Sequence, residues 1–455
     1  MSEPQIVWLR RDLRLADQAA FATAAANGAP VIPVYVLDDE TAQHRKLGGA
    51  SRWWLHHSLA SLDKDLRKLG SRLILRRGTC EDVLASLAEE TGAREVHALR
   101  HYEPWWRNAE RAVAKRLDLH LHDGNYLVPP GTLLTGGGTP YKIFTPFYRA
   151  ALGQLPPPPP LPVPKLAAPS RWPASDALDD WGLLPTRPDW AGGMREAWTP
   201  GEAAASHAVD DFIDRVGQYE TARNLPSIDG SSRLSPHLHW GEVSPASVWH
   251  ALNEQRGEGV ESYRRELVWR DFAQNLIAAF PDYPERGFNE AVGRIEWRTS
   301  ASDLKAWQQG RTGYPIVDAG MRQLWATGWM HNRVRMIAAS FLIKHLLIDW
   351  KQGERWFWDT LVDADYASNG VNWQWVSGSG LDSSMWVRIM APLSQSAKFD
   401  AARYIREWVP ELAHLPDAEI HDPALPVRGY PVKLIDHNAA RARALAAWSE
   451  VKAGS

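Results

Sequence analysis

The amino-acid sequence predicts two fold classes in one chain: an α/β N-terminal domain with a doubly wound parallel sheet, and an all-α C-terminal domain. Three observations support this prediction. Short β-branched runs alternate with amphipathic stretches over about the first 125 residues, a proline-rich segment begins at Leu155, and the pattern beyond Gly201 is helical almost to the end. We therefore place the domains at residues 1–130 and 201–455, with a connector at residues 131–200.

Four buried strands are expected in the N-terminal part: QIVWL (5–9), VIPVYVL (31–37), RLILR (72–76) and EVHAL (95–99). Between them, DQAAFATAAANG, ASRWWLHHSLASLDKDLRKLG and CEDVLASLAEETG have helical patterns, and each is closed by Gly. This βαβ rhythm is typical of a parallel sheet in which helices cover both faces. RRDLRLAD follows the first strand in place of GxGxxG, which disfavours a dinucleotide bound in the usual Rossmann manner.

The connector is predicted from its composition. The run LPPPPPLPVP starts at Leu155 and leads into a stretch rich in Pro, Ala, Trp and Asp. Consecutive prolines form neither helix nor central strand, so a stiff, extended strap between domains is expected.

Composition limits the classes of function. The net charge of the 455-residue chain is -3, so any contact with nucleic acid must use a local basic patch. The single cysteine, Cys80, excludes an intramolecular disulfide and fits a cytoplasmic location. No signal peptide or membrane span is expected. The 24 Trp exceed the 12 Tyr and 10 Phe, which favours either a Trp-rich core or a role for indole rings in stacking and one-electron chemistry.

The first polar motif is DGSSRLSPHLHWGEVSP. Ser231, Ser232 and Ser235 supply hydroxyl groups, Arg233 supplies a guanidinium, and Pro236 is suited to opening a helix. Hydroxyls, a cation and free helix N–H groups together suit a pyrophosphate. An ordinary capped helix after a polar loop is the structural alternative.

The second motif is YRRELVWRDF. On a helix, Glu266, Trp269 and Arg270 share one face because they lie at i, i+3 and i+4. A carboxylate beside an indole could bind the edge of a nucleobase while the ring stacks on it. A surface Glu–Arg pair with a core Trp is the structural alternative.

The third motif, GWMHNRVRMIAASFLIKHLLIDW, predicts a buried helix with a polar beginning. Asn332, Arg335 and Met336 fall on one face, and Asp363 could form a charge-assisted pair with Arg335. Asp363 and Asp365 could also suggest a metal ion, but no His lies near them in that segment, so no metal site is expected.

These motifs together resemble the cryptochrome/photolyase family of blue-light flavoproteins. The likeness is carried by GYPIVDAGMRQLWATGWMHNRVRM, RLSPHLHWGEVSP, ELVWRDF and NWQW, and it extends from IVWLRRDLRLAD to KFDAARYIREWVPELAHLP. Several long motifs in the same order make chance agreement negligible. The resemblance implies FAD, held in a U-shape by the helical domain.

The resemblance also implies which residues contact the cofactor. Those matched to the FAD phosphates are Tyr219, Ser231, Ser232, Leu234 and Ser235, with Arg233 and Tyr263 in the same cofactor-binding set. Those matched to the isoalloxazine and ribose are Arg270, Asn332, Arg335, Asp363, Asp365 and Asn369. The polar end of the third motif would then face an anionic flavin.

Three features discriminate within the family. The 6-4 photolyases resemble one another in a His-His pair where this chain has His331-Asn332. Plant-type cryptochromes commonly carry Asp at the position of Asn369, opposite flavin N5, and DASH-type relatives tend to replace Trp269 and Trp375 by Tyr. The pattern is most similar to a class I cyclobutane pyrimidine dimer photolyase. The alternative is a blue-light photoreceptor, although the chain ends at Ser455 without a long signalling tail.

Such a photolyase would act on UV-damaged DNA, single- or double-stranded, as a monomer. The resemblance implies that the flipped dimer lies against Trp269, Trp375 and Met336, that Glu266 binds its base edge, and that anionic reduced FAD supplies an electron after light absorption. Asn369 completes the catalytic set. Trp297, Trp350 and Trp373 would form the electron-transfer chain, and Arg388 and Lys398 would meet DNA phosphates.

An additional antenna chromophore is the last expectation. Trp106 stands where folate-binding relatives carry a Glu for the pterin. An 8-hydroxy-deazaflavin or a flavin is therefore favoured over methenyltetrahydrofolate, with an empty pocket as a further alternative.

Overall fold

The structure is a computed structural model that describes residues 3–41, 45–382, 386 and 388–453. Its contacts divide the chain into two compact units. The first unit contains the residues up to Asp189 together with Trp198–Asp214 and Ser232–Pro281. The second unit contains Trp190–Ala197, Arg215–Ser231 and the residues from Asp282 onward.

A five-stranded parallel sheet organises the first unit, which confirms the predicted fold class. Its strands are β1 (Gln5–Leu9), β2 (Val31–Leu37), β3 (Ile74–Arg77), β4 (Glu95–Leu99) and β5 (Asp118–His122). They lie in the order β3-β2-β1-β4-β5, and Ile6 of β1 pairs with Ile32 of β2 and Val96 of β4. The sequence did not predict β5, because DLHLH is polar at alternate positions and only partly buried, as suits a strand at the edge of a sheet.

Among the described residues, the first unit also contains nine α-helices. They are α1 (Ala19–Ala25), α2 (Gly49–Lys68), α3 (Cys80–Thr91), α4 (Pro104–Val113), α5 (Phe144–Leu152), α7 (Glu202–Ile213), α9 (Ser235–Trp240), α10 (Pro245–Ala251) and α11 (Glu258–Ala279). The three helices predicted between the strands are α1, α2 and α3. Gly92 ends α3 at φ 72, a left-handed conformation that glycine adopts without steric cost.

The second unit is helical. Its α-helices are α6 (Gly192–Ala197), α8 (Tyr219–Ala222), α12 (Glu290–Gly293), α13 (Ala301–Gln308), α14 (Pro315–Thr327), α15 (Asn332–Ser340), α16 (Trp350–Thr360), α17 (Tyr366–Ser377), α18 (Pro392–Lys398), α19 (Ala402–Trp408), α20 (Asp417–Ile420) and α21 (His437–Ala453). In the part of the chain that the structure describes, no helix is both long and apolar enough to cross a membrane.

The third polar motif is not one continuous α-helix. The α-helical part, α15, ends at Ser340, and a π-helical segment, Phe341–His345, follows it. Leu347 then takes a positive φ of 53, which no α-helix continues through. The Asp349 side chain caps the next helix, α16, by accepting a hydrogen bond from the Lys351 N–H.

The proline-rich connector is tied to the sheet of the first unit. The Val31 N–H donates to the Ala167 carbonyl oxygen at 2.9 Å, and the Leu75 N–H donates to the Ser175 hydroxyl oxygen at 2.9 Å. A 3-10 helix, Leu178–Trp181, follows. Residues 131–200 also include α5 and α6, so this range is not purely extended. The domain boundaries at 130 and 200 stay a prediction.

Candidate functional site

The polar residues at the beginning of α15, in the second unit, lie on the accessible face of that helix. Asn332 is exposed, and Arg335 and Met336 are partly exposed, whereas Val334 and Ile337 on the same helix are buried. The polar stripe therefore faces away from the apolar core, and its charges are not buried without partners. This face can be solvated or covered by a polar ligand.

Arg335 forms the ion pair expected with Asp363. Its two terminal nitrogens donate to the two Asp363 carboxylate oxygens at 3.2 and 2.9 Å, and its Nε donates to the Met330 carbonyl oxygen at 2.7 Å. The Arg335 side chain is 24% exposed and that of Asp363 is 5% exposed. The bidentate pair thus holds a planar guanidinium in a fixed orientation while part of it stays accessible.

His331 places a buried hydrogen-bond donor at the same helix end. Its Nδ1 accepts from the Arg333 N–H at 3.3 Å, which caps α15. Burial, followed by the charges of Arg333 and Arg335, lowers the pKa of His331 to about 4, so the ring is neutral at pH 7. Because Nδ1 accepts, Nε2 carries the proton, and a hydrogen bond with the Arg223 backbone acts in the opposite direction by raising the pKa of the ring.

Asn369 on α17 has a fixed side-chain amide. Its Nδ2 donates to both the backbone oxygen and the Oε1 of Glu354 on α16, at 3.0 and 2.8 Å. Since both hydrogens of the amide are used, its orientation is set and its carbonyl oxygen points away from Glu354. Asp365 caps α17 by accepting from the Ser368 N–H at 2.7 Å.

The tryptophans assigned to electron transfer differ in burial. Trp373 and Trp350 are each 3% exposed, whereas Trp297 is partly exposed. Helices α16 and α17 approach closely at Gly353, where a Cβ would collide with the Trp373 ring. Trp297 contacts Trp386, with ring centroids 5.8 Å apart. Trp375, assigned to the lesion, is partly exposed on α17.

A pocket of about 510 Å³ in the second unit brings three predicted residues together. Met336, Arg388 and Lys398 line it, and the described lining also includes Thr221, Asn224, Leu225, Arg333, Ile337, Ile389, Met390, Gln395 and Phe399. Three of these residues are cations and none is acidic. The pocket is therefore a local basic patch in a chain of net charge -3.

Arg333 is a pocket residue that the sequence interpretation missed. Its Nε donates to the Asn224 Oδ1 at 2.7 Å, and its guanidinium lies 5.9 Å from the centre of the Phe399 ring. Arg333 precedes Met336 by three residues, so it shares a helical face with a residue already assigned to the site. That spacing could have identified it, whereas Gln395 and Phe399 come from α18 and its end and carry no such local signal.

In the first unit, α11 carries Glu266, Trp269 and Arg270 on one partly exposed stripe, as their spacing predicted. Trp269 stacks on Phe144 with ring centroids 3.7 Å apart and an interplanar angle of 7°. Arg270 donates to the carbonyl oxygens of Asn125 and Leu238. Both terminal nitrogens of Arg270 therefore donate to acceptors of this unit.

The residues expected to hold phosphates lie on short elements. In the first unit, Ser235 begins α9, the buried Tyr263 hydroxyl interacts with Ser232, and Arg233 lies 4.4 Å over the Trp198 ring. Leu234 is fully buried, and burial raises the pKa of Tyr263, whose hydroxyl stays protonated.

In the second unit, Tyr219 is buried on α8, with the Arg223 guanidinium 5.2 Å from its ring centre. Ser231 is partly exposed after Gly230, where a Cβ would collide with the Ala222 backbone. The chain there can pass close to other groups only because the residue is glycine.

These features define a class of protein: a parallel α/β domain joined to a helical domain that offers a planar, partly accessible guanidinium, a fixed amide and the partly exposed Ser231. Such donors fit a cofactor that combines anionic phosphates with a polar ring such as a flavin.

Comparison with known proteins gives the family. Residues 5–165 match the model described as DNA photolyase, and residues 263–450 match the FAD binding domain of DNA photolyase. A deoxyribodipyrimidine photo-lyase from Agrobacterium fabrum is 48% identical over 473 residues, covering 99% of this chain and 98% of the relative. Cryptochrome-2 from Arabidopsis thaliana is 35% identical and covers 93% of this chain and 73% of the relative.

Solved structures agree with this result. A bacterial class III photolyase from Agrobacterium tumefaciens has a TM-score of 0.95 and 47% identity, covering 99% of this chain and 98% of that one. An archaeal photolyase from Sulfolobus tokodaii with two FAD molecules has a TM-score of 0.84 and 29% identity, covering 98% of this chain and 100% of that one. The chain therefore belongs to the DNA photolyase/cryptochrome family and carries that family's FAD-binding domain.

Proposed function

We propose that this protein repairs cyclobutane pyrimidine dimers in UV-damaged DNA by a light-driven reaction that depends on reduced FAD. The observation that carries the proposal is the basic pocket, in which Met336 lies beside Arg333, Arg388 and Lys398. The Met336 side chain offers an apolar surface to an extruded pyrimidine pair, and the three cations suit the phosphates that flank the pair. Relatives named deoxyribodipyrimidine photo-lyase cover nearly the whole chain, which supports the same function.

FAD would be held by the residues that the sequence motifs single out. We assign its phosphates to Tyr219, Ser231, Ser232, Arg233, Leu234, Ser235 and Tyr263, and its ring and ribose to Arg270, Asn332, Arg335, Asp363, Asp365 and Asn369. When bound and reduced, FAD would supply under blue light the single electron that opens the dimer. Arg335 keeps its orientation through Asp363.

Glu354 gives Asn369 a defined role beside the ring. Because Glu354 accepts from the Asn369 amide nitrogen, Asn369 presents its carbonyl oxygen, an acceptor that does not titrate, to whatever lies on its other side. An Asp at this position could exchange a proton with the cofactor, and Asn cannot. This difference favours repair over the photoreceptor alternative, which plant-type cryptochromes represent.

Four residues would contact the dimer itself. Trp269, Trp375 and Met336 supply apolar and stacking surfaces, and Glu266 would hydrogen-bond the base edge where negative charge develops after electron transfer. Trp297, Trp350 and Trp373 would carry electrons from the surface during activation of a resting, oxidised cofactor. The buried positions of Trp373 and Trp350 and the partial exposure of Trp297 support that direction.

The antenna chromophore is assigned to the flavin or 8-hydroxy-deazaflavin class. Trp106, at the position of the pterin-binding Glu of folate-binding relatives, is 8% exposed and packs against Trp8 in the α/β domain, with ring centroids 6.4 Å apart. The related Sulfolobus photolyase was solved with two FAD molecules, which implies a novel light-harvesting cofactor in that protein. Absorption spectra and chromatography of the released chromophores would test this assignment.

The function is tested with oligonucleotides that contain one thymine cyclobutane dimer, one 6-4 photoproduct, or no lesion. The photoreduced protein should restore thymines only from the cyclobutane dimer and only under blue light. Glu266→Ala should lower the yield while leaving FAD content unchanged. Bound, reducible FAD without restored thymines would favour the photoreceptor alternative, and repair of the 6-4 lesion alone would contradict the assigned substrate.

A further inference from the structure

The indole of Trp269 is supported by a stack of aromatic rings within the first unit. Phe144 on α5 lies parallel to it, with ring centroids 3.7 Å apart, and Phe272 meets it edge-on at 5.5 Å. Phe144 also contacts Phe272 at 5.7 Å and Tyr148 at 5.7 Å. Phe144 is therefore the ring that connects α5 with the proposed lesion-binding residue on α11.

Phe144 is itself shielded from solvent. It is 4% exposed, whereas Trp269 is partly exposed. The Arg265 guanidinium lies 5.6 Å from the Phe144 ring centre and 5.1 Å from that of Tyr148, so a cation borders the same stack. A buried ring cannot touch DNA directly, and any effect of Phe144 on DNA must act through Trp269.

We propose that Phe144 is a positioning residue that fixes the plane of Trp269 before the damaged base pair arrives. This inference rests on the proposed function, because it requires Trp269 to contact the dimer. A partly exposed indole without a parallel neighbour would sample several rotamers, and binding would then have to order it. The parallel Phe144 ring removes the cost of ordering Trp269. Only binding of the extruded dimer benefits, because an intact duplex does not contact Trp269.

The test is dark binding, which requires neither light nor turnover. The dissociation constant of a fluorescent oligonucleotide is measured by anisotropy, with and without a single cyclobutane dimer. Phe144→Leu keeps an apolar side chain but removes the flat ring. It should weaken dimer binding by about 3- to 10-fold, the range expected for loss of one aromatic pair, and leave undamaged DNA unaffected.

Two matched variants separate positioning from general packing. Phe144→Tyr restores a planar ring and should restore dimer affinity to within about twofold of wild type. Phe147→Leu alters another buried Phe of α5, which contacts Phe272 at 5.3 Å. It should lower the melting temperature as Phe144→Leu does without changing the preference for the dimer. If Phe144→Leu does not fold, Phe144→Met replaces it.

Trp269→Leu distinguishes failure of this inference from failure of the proposed function. If Trp269→Leu weakens dimer binding and Phe144→Leu does not, the positioning role is wrong and the proposed role of Trp269 stands. If Trp269→Leu leaves dimer binding unchanged, the proposed role of Trp269 is wrong, and the positioning role falls with it. Equal losses in Phe144→Leu and Phe147→Leu would also overturn the positioning role.

Discussion

Two arginine-rich regions of this protein use the same side chain in opposite ways. After β1, Arg10 and Arg14 are each 1% exposed, and most of their donors are taken up inside the first unit. Arg10 pairs with Glu110 at 2.7 Å and also donates to a backbone carbonyl, and Arg14 donates to four acceptor groups, three of them backbone carbonyls. These guanidiniums have few donors left for a ligand.

In the second unit, Arg333, Arg335 and Arg388 are partly or fully exposed. Arg335 has a carboxylate partner on one side only, and Arg388 lines the basic pocket. Motif counting alone does not distinguish RRDLRLAD from HNRVRM, because both are arginine-rich. The difference lies in burial, which separates arginines enclosed by the protein from arginines that a ligand can reach.

The largest expected effect tests the structural side of the comparison. Glu110→Ala should lower the free energy of unfolding by about 3–5 kcal/mol, because it removes the carboxylate that pairs with the buried Arg10 guanidinium. Urea denaturation followed by circular dichroism measures it. Arg67→Ala removes an exposed i,i+4 pair with Asp63 and serves as control, with an expected loss below about 1 kcal/mol. Equal losses would mean that the Arg10 pair is not structurally important.

A pH effect follows from His331 at the beginning of α15. Its pKa is about 4 in the folded protein against 6.5 as its ordinary value, so the unfolded chain binds the proton more readily. The contribution of His331 to the free energy of unfolding is therefore fully present above pH 6.5. It is lost as the pH falls toward 4, and the total loss is up to about 3 kcal/mol. His331→Asn keeps a capping side chain and should flatten the wild-type loss of stability between pH 6.5 and 4. An unchanged pH profile would contradict a buried, neutral His331.

Asp363→Asn tests the assignment of Arg335 as a ligand-binding arginine. Loss of the charged partner should loosen Arg335 and raise the FAD dissociation constant by about 10- to 100-fold, as expected for a charge-assisted hydrogen bond worth about 1.5–3 kcal/mol. FAD bound per protein after gel filtration and fluorescence titration of the apoprotein measure it. Asp359→Asn, on the exposed part of α16, is the control and should keep wild-type FAD content.

The smallest effect concerns the pocket cations. Arg388→Ala and Lys398→Ala should each weaken binding of damaged and undamaged DNA alike, and each should reduce the slope of log affinity against log salt by about 0.7–0.9. Anisotropy between about 50 and 200 mM salt measures both quantities. A loss confined to damaged DNA, with an unchanged salt slope, would show that these cations do not contact phosphates.

Sequence patterns predicted the fold better than the site. Strands β1 to β4 are apolar runs and were predicted, whereas β5 alternates His with Leu at an edge and was not. The Arg335–Asp363 pair was predicted because the motifs suggested a partner. The orientation of Asn369 was not, since it depends on Glu354 from a neighbouring helix, and nothing local marks that contact.

Melting of the apoprotein with and without FAD tests the central comparison most directly. With FAD at about 100 times its dissociation constant, ligand binding should stabilise the wild type by about 2.7 kcal/mol. Glu110→Gln should melt earlier in both states and keep that FAD-dependent increment. Asp363→Asn, at the same FAD concentration, should keep an increment of only about 0.4–1.4 kcal/mol, the range for a 10- to 100-fold weaker dissociation constant. If Glu110→Gln loses the increment and Asp363→Asn keeps it, the assignment of the two arginine-rich regions is reversed.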